Sequence, residues 1–204
     1  MLYNTHKKYG QLFGLGALGI AGSVGTFDEL GVIGTLGAVV VAMTASKFGA
    51  EFPDIDSKQS KPAQKHKILR SIFEAFGVKH RGRFSHDVVV QTLFWSLILF
   101  IANMLMNMVV VPELVSFYVG LYIVFSWVGV MSHLFADALT VEGIYFGLVI
   151  KVTLMPVFIK KFGFGKWRPL KKAFTAGSSW NDMHFKLLSV VNPLVLVLVL
   201  INMI

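Results

Sequence analysis

"VVVQTLFWSLILFIANMLMNMVVV", residues 88–111, contains no charged side chain. An α-helix needs about 20 mostly apolar residues to cross the hydrocarbon core of a bilayer, so this stretch reads as a transmembrane helix. Four more runs have the same character: 11–27, 30–46, 114–136 (uncharged when His133 is neutral) and 187–204. A further apolar region, 143–159, is interrupted by Lys151 and contains Pro156. Composition agrees with a membrane protein. The 204 residues are 55% hydrophobic and 15% charged, with a mean hydropathy of +0.67, whereas about a quarter of the residues of a soluble domain are charged. The expected fold class is all-α: a multi-pass helical membrane protein forming one integral membrane domain over 1–204.

Loop charge orients the helices. The Asp28-Glu29 and Pro112-Glu113 turns carry no Lys or Arg, whereas 50–87 carries eight and 160–186 carries seven; Lys7 and Lys8 precede the first helix. Basic loops stay in the cytoplasm, which puts the N-terminus, 50–87 and 160–186 on that side. Five crossings satisfy this arrangement. Region 143–159 cannot also cross without carrying 160–186 outside, so it reads as an interfacial or re-entrant element, with Lys151 snorkelling or facing the site. The net charge of +8 lies in these loops rather than on a soluble domain. It therefore points to loop retention and anionic lipid headgroups, and not to nucleic acid. The first apolar run lacks a small-residue cleavage site, so a retained helix is expected rather than a cleaved signal.

Within the helices, Gly14, Ala17, Ala21 and Gly25 form a small-residue series of the kind that lets membrane helices approach closely. Asn103 and Asn107, four apart, are expected to face a neighbouring helix and hydrogen-bond to it.

The ionisable residues are placed less evenly than the loops require. His6 precedes the first helix, and "EFPDIDS" puts Asp54 and Asp56 after the second. "KHRGRFSHD" puts His80, His86 and Asp87 before the third, and "SHLFADALT" puts His133 and Asp137 near the end of the fourth. With the topology above, all of these reach one membrane face. Asp54 and Asp56 lie two apart, so in extended backbone they point the same way. His133 and Asp137, four apart, share a helix face. Ionisable groups at the end of a long apolar run are costly and usually face a cavity or pathway. Cysteine is absent, which excludes disulfides and thiolate ligands and leaves an imidazole and carboxylate set suited to Zn, Mn, Fe or Mg. His66, in a Lys-rich stretch, reads as a solvated loop residue.

The order of these motifs, "TH", "PDID", "HRG" with a following "SH", "HLFADALTVEG" and a late "FTAGSSWND", resembles the YdjM-like family of membrane-bound metal-dependent hydrolases. The resemblance runs from His6 to Asp182. It implies that His6, Asp54, Asp56, His80, His86, His133 and Asp137 form a metal site, and it implies a distant kinship with zinc-dependent phospholipase C. The family's usual spacing, HRGxTHS, puts the second histidine five positions after the first; here the interval is six, and Phe-Ser-His replaces Thr-His-Ser.

With this topology, the kinship that the resemblance implies suggests a phosphoesterase acting on a lipid or lipid-linked phosphate at the cytoplasmic face, with two divalent ions about 3.5–4 Å apart. Arg81 would hold substrate phosphate through its planar fork. Asp87 would orient a ligand histidine or act as general base. The basic 160–172 segment, with Trp167, would hold anionic headgroups. Two other classes compete: a metal-bearing membrane scaffold without turnover, and a transporter or channel. The latter would be expected to carry ionisable groups near the midplane rather than at one face.

Overall fold

The computed structural model describes residues 3–139, 144 and 179–203. The described chain is helical: α1 (Tyr3–Ser23), α2 (Gly31–Glu51), α3 (Lys61–Lys65), α4 (Lys67–Ala75), α5 (Arg83–His86), α6 (Val88–Met108), α7 (Glu113–Ala138) and α8 (Ser179–Met203). Short 3-10 turns, Asp28–Leu30 and Phe52–Asp56, precede and follow α2. Only helices and closed barrels satisfy every backbone polar group in lipid, which is why the apolar runs take this form. Among the described residues, four helical stretches are long and apolar enough to cross a membrane: Asp28–Asp56, Val88–Met108, Glu113–Ala138 and Asp182–Ile201. They correspond to four of the five expected crossings. The fifth expected crossing falls on α1, which is not among these stretches: it starts well before residue 11 and includes Lys7 and Lys8. The 143–159 element with Lys151, the 160–172 segment and most of "FTAGSSWND" lie outside the described residues; Asp182 is exposed.

The helix boundaries follow from local chemistry. Ser60 caps α3 by accepting the Ala63 N–H at 3.1 Å, with Pro62 in the first turn. Asp87 caps α6 through Oδ1, which accepts from Val89 and Val90 N–H at 2.9 and 3.2 Å. A carboxylate there also complements the positive end of the helix dipole.

Helices α1, α2 and α7 form the centre, α8 packs on α1, and α6 packs on α7. The α2–α7 crossing is close enough that a Cβ on Gly49 would overlap the Ser126 carbonyl, and one on Gly129 would lie 2.9 Å from the Ala50 nitrogen. One apolar cluster, with Leu18, Ala42, Ala45, Phe125 and Val199, fills the middle of the bundle. A second, with Phe52, Ile55, Phe73, Trp95, Val130 and Leu134, supports the end that carries the ionisable residues.

Three expectations change. Ala17 and Ala21 do pack against the central cluster, but Gly25 lies beyond α1 in a turn with φ +78°, a left-handed conformation suited to glycine. Asn103 and Asn107 are exposed because the packed stripe of α6 runs through Trp95, Ile98, Leu99 and Ala102. The interhelical hydrogen bond on α6 is instead Trp127 Nε1–H to Thr92 Oγ1, 3.2 Å. His66 is not simply solvated. Its Nε2 lies 3.2 Å from Glu51 Oε2, and its ring packs edge-on to Phe48.

Candidate metal centre

Five of the seven predicted ligands converge at one end of the bundle. His6 stands near the start of α1, Asp54 in the 3-10 turn after α2, His86 at the end of α5, and His133 and Asp137 one turn apart on α7. His6, His86, His133 and Asp137 are almost fully buried, while the Asp54 side chain keeps 20% of its surface. Two overlapping trios bring potential ligand atoms within 4.8 Å of one another: His6, His133 and Asp137, and Asp54, His86 and His133.

Hydrogen bonds on the outer side of two rings set their tautomers. His133 Nδ1 is 2.8 Å from the Ala50 carbonyl, which can only accept, so Nδ1 carries the hydrogen. The Ser85 hydroxyl donates to Asp56 Oδ2 at 2.6 Å and therefore accepts from His86 Nδ1, 2.9 Å away. In the neutral rings both Nε2 atoms then present a lone pair to the centre, and neither has a hydrogen-bond partner among the described residues. The atoms they face are carboxylate oxygens. His133 Nε2 is 3.6 Å from Asp137 Oδ2 and 3.8 Å from Asp54 Oδ1; His86 Nε2 is 3.5 Å from Asp137 Oδ2.

Lone pairs aimed at carboxylates repel unless a cation or proton lies between them. The separations are longer than the usual N–H···O range of about 2.7–3.2 Å. They match the roughly 3.4 Å between neighbouring ligands of a tetrahedral ion bound at 2.0–2.1 Å. The donor set therefore fits a divalent metal ion.

His6 completes the group. Its Nε2 is 3.3 Å from Asp137 Oδ1, and its ring stacks on His133 with centroids 3.9 Å apart. Burial, and secondarily the proximity of His133, push its pKa down to about 4, so the ring is neutral and able to coordinate near pH 7.

Asp56 and His80 form the adjoining layer. Asp56 Oδ1 meets His80 Nδ1 at 2.8 Å, and Oδ2 accepts the Arg81 backbone N–H at 2.9 Å as well as the Ser85 hydroxyl. These contacts hold Arg81 at φ 53°, an uncommon left-handed conformation for a non-glycine residue. The extra residue in "HRGRFSHD" is absorbed here: α5 is a single turn that carries His86 inward, with Phe84 packed on the apolar cluster. The Arg81 guanidinium reaches Asp137, Nη2 to Oδ2 3.6 Å, with a fifth of its side chain exposed. Asp87, at the cap of α6, holds the chain that follows His86.

Three participants escaped the sequence reading. The Ala50 carbonyl leaves no sequence signal, and Ser85 became legible only through its contacts. Glu51 had a visible one, a carboxylate ending an apolar run. Its buried side chain accepts from Tyr3 Oη at 2.9 Å and Lys65 Nζ at 2.9 Å, with Lys7 Nζ at 3.6 Å. This network ties α1 and α3 to the end of α2 beside the centre.

Fold and site together define a multi-pass helical membrane protein with a buried His/Asp cluster that could hold a metal ion. The sequence matches the YdjM inner membrane protein family over residues 1–203, and the chain belongs to that family. No curated protein and no solved structure matches it.

Proposed function

We propose that this protein is a metal-dependent phosphoester hydrolase acting on a lipid or lipid-linked phosphate at the cytoplasmic membrane face. The observation that carries this reading is the convergence of His86 Nε2 and His133 Nε2, their tautomers set from outside, on Asp54 and Asp137. Asp137 turns one oxygen to His6 and the other to His86 and His133. That disposition would let Asp137 help to hold two ions, drawn from Zn, Mn, Fe or Mg, together with His6, His86, His133 and Asp54. Such ions would polarise a phosphoryl oxygen and lower the pKa of a bound water towards 7.

The chain's own residues supply the rest. Arg81, partly exposed beside Asp137, would orient the phosphate. His80, half exposed and held through Nδ1 by Asp56, would move a proton at the rim. Asp56 and Asp87 would act as positioning groups for His86. The basic loops 50–87 and 160–186 would keep the site on the cytoplasmic side of a single membrane domain with five crossings.

A second reading, a metal-bearing scaffold without turnover, is favoured by the nearly complete burial of four ligands, since closed sites are typical of structural metals. Hydrolysis of p-nitrophenyl phosphate and bis-p-nitrophenyl phosphate by metal-loaded protein in detergent separates the two. Turnover lost in Arg81→Ala with metal retained supports the hydrolase. Stoichiometric metal with no turnover of any phosphoester selects the scaffold.

A further inference from the structure

Helix α4, Lys67–Ala75, links the turn bearing Asp54 and Asp56 to the loop bearing His80 and His86. Its apolar side chains cover far more of its circumference than the protein beneath it uses. Leu69 and the buried Phe73 pack into the apolar cluster under the site, Phe73 edge-on to Phe52 at 5.3 Å. Ile68, Ile72 and Phe76, four apart and therefore in one row, are 80%, 44% and 82% exposed. The opposite arc carries Lys67, Arg70, Ser71 and Glu74. An α-helix repeats every 3.6 residues, so three sectors follow in order around α4: one on the protein, one apolar and uncovered, and one polar.

We infer that α4 is an in-plane interfacial helix whose Ile68–Ile72–Phe76 row is immersed in the membrane leaflet at the end of the bundle that carries the His/Asp cluster. The partner is the lipid bilayer itself. Two observations select it over a protein surface. The helix stands between two stretches able to cross the membrane, Asp28–Asp56 and Val88–Met108. On α6, the next of these stretches in the chain, Leu93, Leu97 and Phe100 are also exposed and apolar. The charge along the segment is basic as well: 57–79 carries Lys58, Lys61, Lys65, Lys67, Arg70 and Lys79 against Glu74 alone, and although Lys58 and Arg70 pair with Glu74 and Lys65 with Glu51, the excess complements an anionic headgroup layer. This inference does not depend on the chain being a hydrolase. If it holds, the floor between Asp54 and His86 lies at headgroup depth.

The chain has no cysteine, so single-cysteine variants need no background changes. Ile68→Cys, Ile72→Cys and Phe76→Cys would carry a nitroxide, beside Lys67→Cys, Ser71→Cys and Glu74→Cys. Each would be reconstituted into vesicles of phosphatidylethanolamine and phosphatidylglycerol. All six positions lie on the surface, and an unchanged melting curve for each labelled variant shows that folding is kept. The expected result is an oxygen-to-nickel accessibility ratio several-fold higher at 68, 72 and 76 than at 67, 71 and 74. Equal, water-like accessibility at all six positions overturns the inference. So does shielding of 68, 72 and 76 from both oxygen and nickel, because a protein surface, including a second copy, would then cover the row.

Discussion

Gly49→Ala adds one methyl group and should destabilise the fold and displace a residue of the centre. The new Cβ would overlap the Ser126 carbonyl oxygen and lie 2.7 Å from its carbon, where ordinary contacts begin at 3.4 Å. Backbone cannot rotate away as a side chain can, so α2 and α7 must separate by at least about 0.7 Å, the difference between those distances. A shift of that size lengthens the 2.8 Å bond from His133 Nδ1 to the Ala50 carbonyl to about 3.5 Å, outside good hydrogen-bond geometry. Overpacking costs about 1–3 kcal/mol, and a buried polar group left unsatisfied costs a similar amount. A total near 3 kcal/mol should lower the apparent melting temperature by roughly 6 °C or more for a chain of this size. Gly16→Ala and Gly120→Ala are the controls, since nothing lies within 4 Å of an added Cβ at either position. Helix propensity should leave both at or slightly above wild type. Tryptophan-monitored melting in detergent is the assay. A Gly49→Ala variant that melts with the controls would refute the close crossing and the placement of His133 derived from it.

Asp56→Ala removes the acceptor for His80, the Arg81 N–H and Ser85, so metal affinity should fall about 10–100-fold without loss of stoichiometry; titration against a chelator measures it, and loss of all binding would make Asp56 a direct ligand. For metal-free protein, the His6 ring sits at about 4 when folded and at about 6.5 when unfolded. The unfolded chain therefore binds more protons at this site between these values, and the contribution of the His6 ring to stability should be full above pH 6.5 and fall as pH drops towards 4. His6→Gln should flatten the melting temperature across that window. Glu51→Gln weakens the contacts to Lys65, Lys7 and His66 and should destabilise by about 1–3 kcal/mol, seen as earlier melting and faster proteolysis near Tyr3.

Much of this architecture was legible because lipid enforces a simple code. The uncharged runs 30–46, 88–111, 114–136 and 187–204 became α2, α6, α7 and α8, since a long apolar run in a bilayer can only be helical. The residues of the cluster were legible because His133 and Asp137 have no reason to end an apolar helix unless they face something. Division of labour within the site was less visible. Sequence order treats Asp54 and Asp56 alike, but a 3-10 turn separates residues two apart, sending Asp54 towards His133 and Asp56 towards Ser85. The Asn103 and Asn107 reading failed because spacing gives a shared face but does not say which face is covered. His66 reads as solvated in the sequence because its carboxylate, Glu51, lies fifteen positions away.

The central claim is that the His/Asp cluster is a metal site, and metal content tests it most directly. Mass spectrometry on detergent-purified protein, wild type beside His133→Ala and Asp137→Ala, should find about two divalent ions per chain in the wild type, the pair a bridged hydrolytic site needs. Both variants should lose them while retaining their helical content. Metal at background in the wild type, even after Zn or Mn is added back, would contradict the account and leave these buried groups as a proton-sharing hydrogen-bond network.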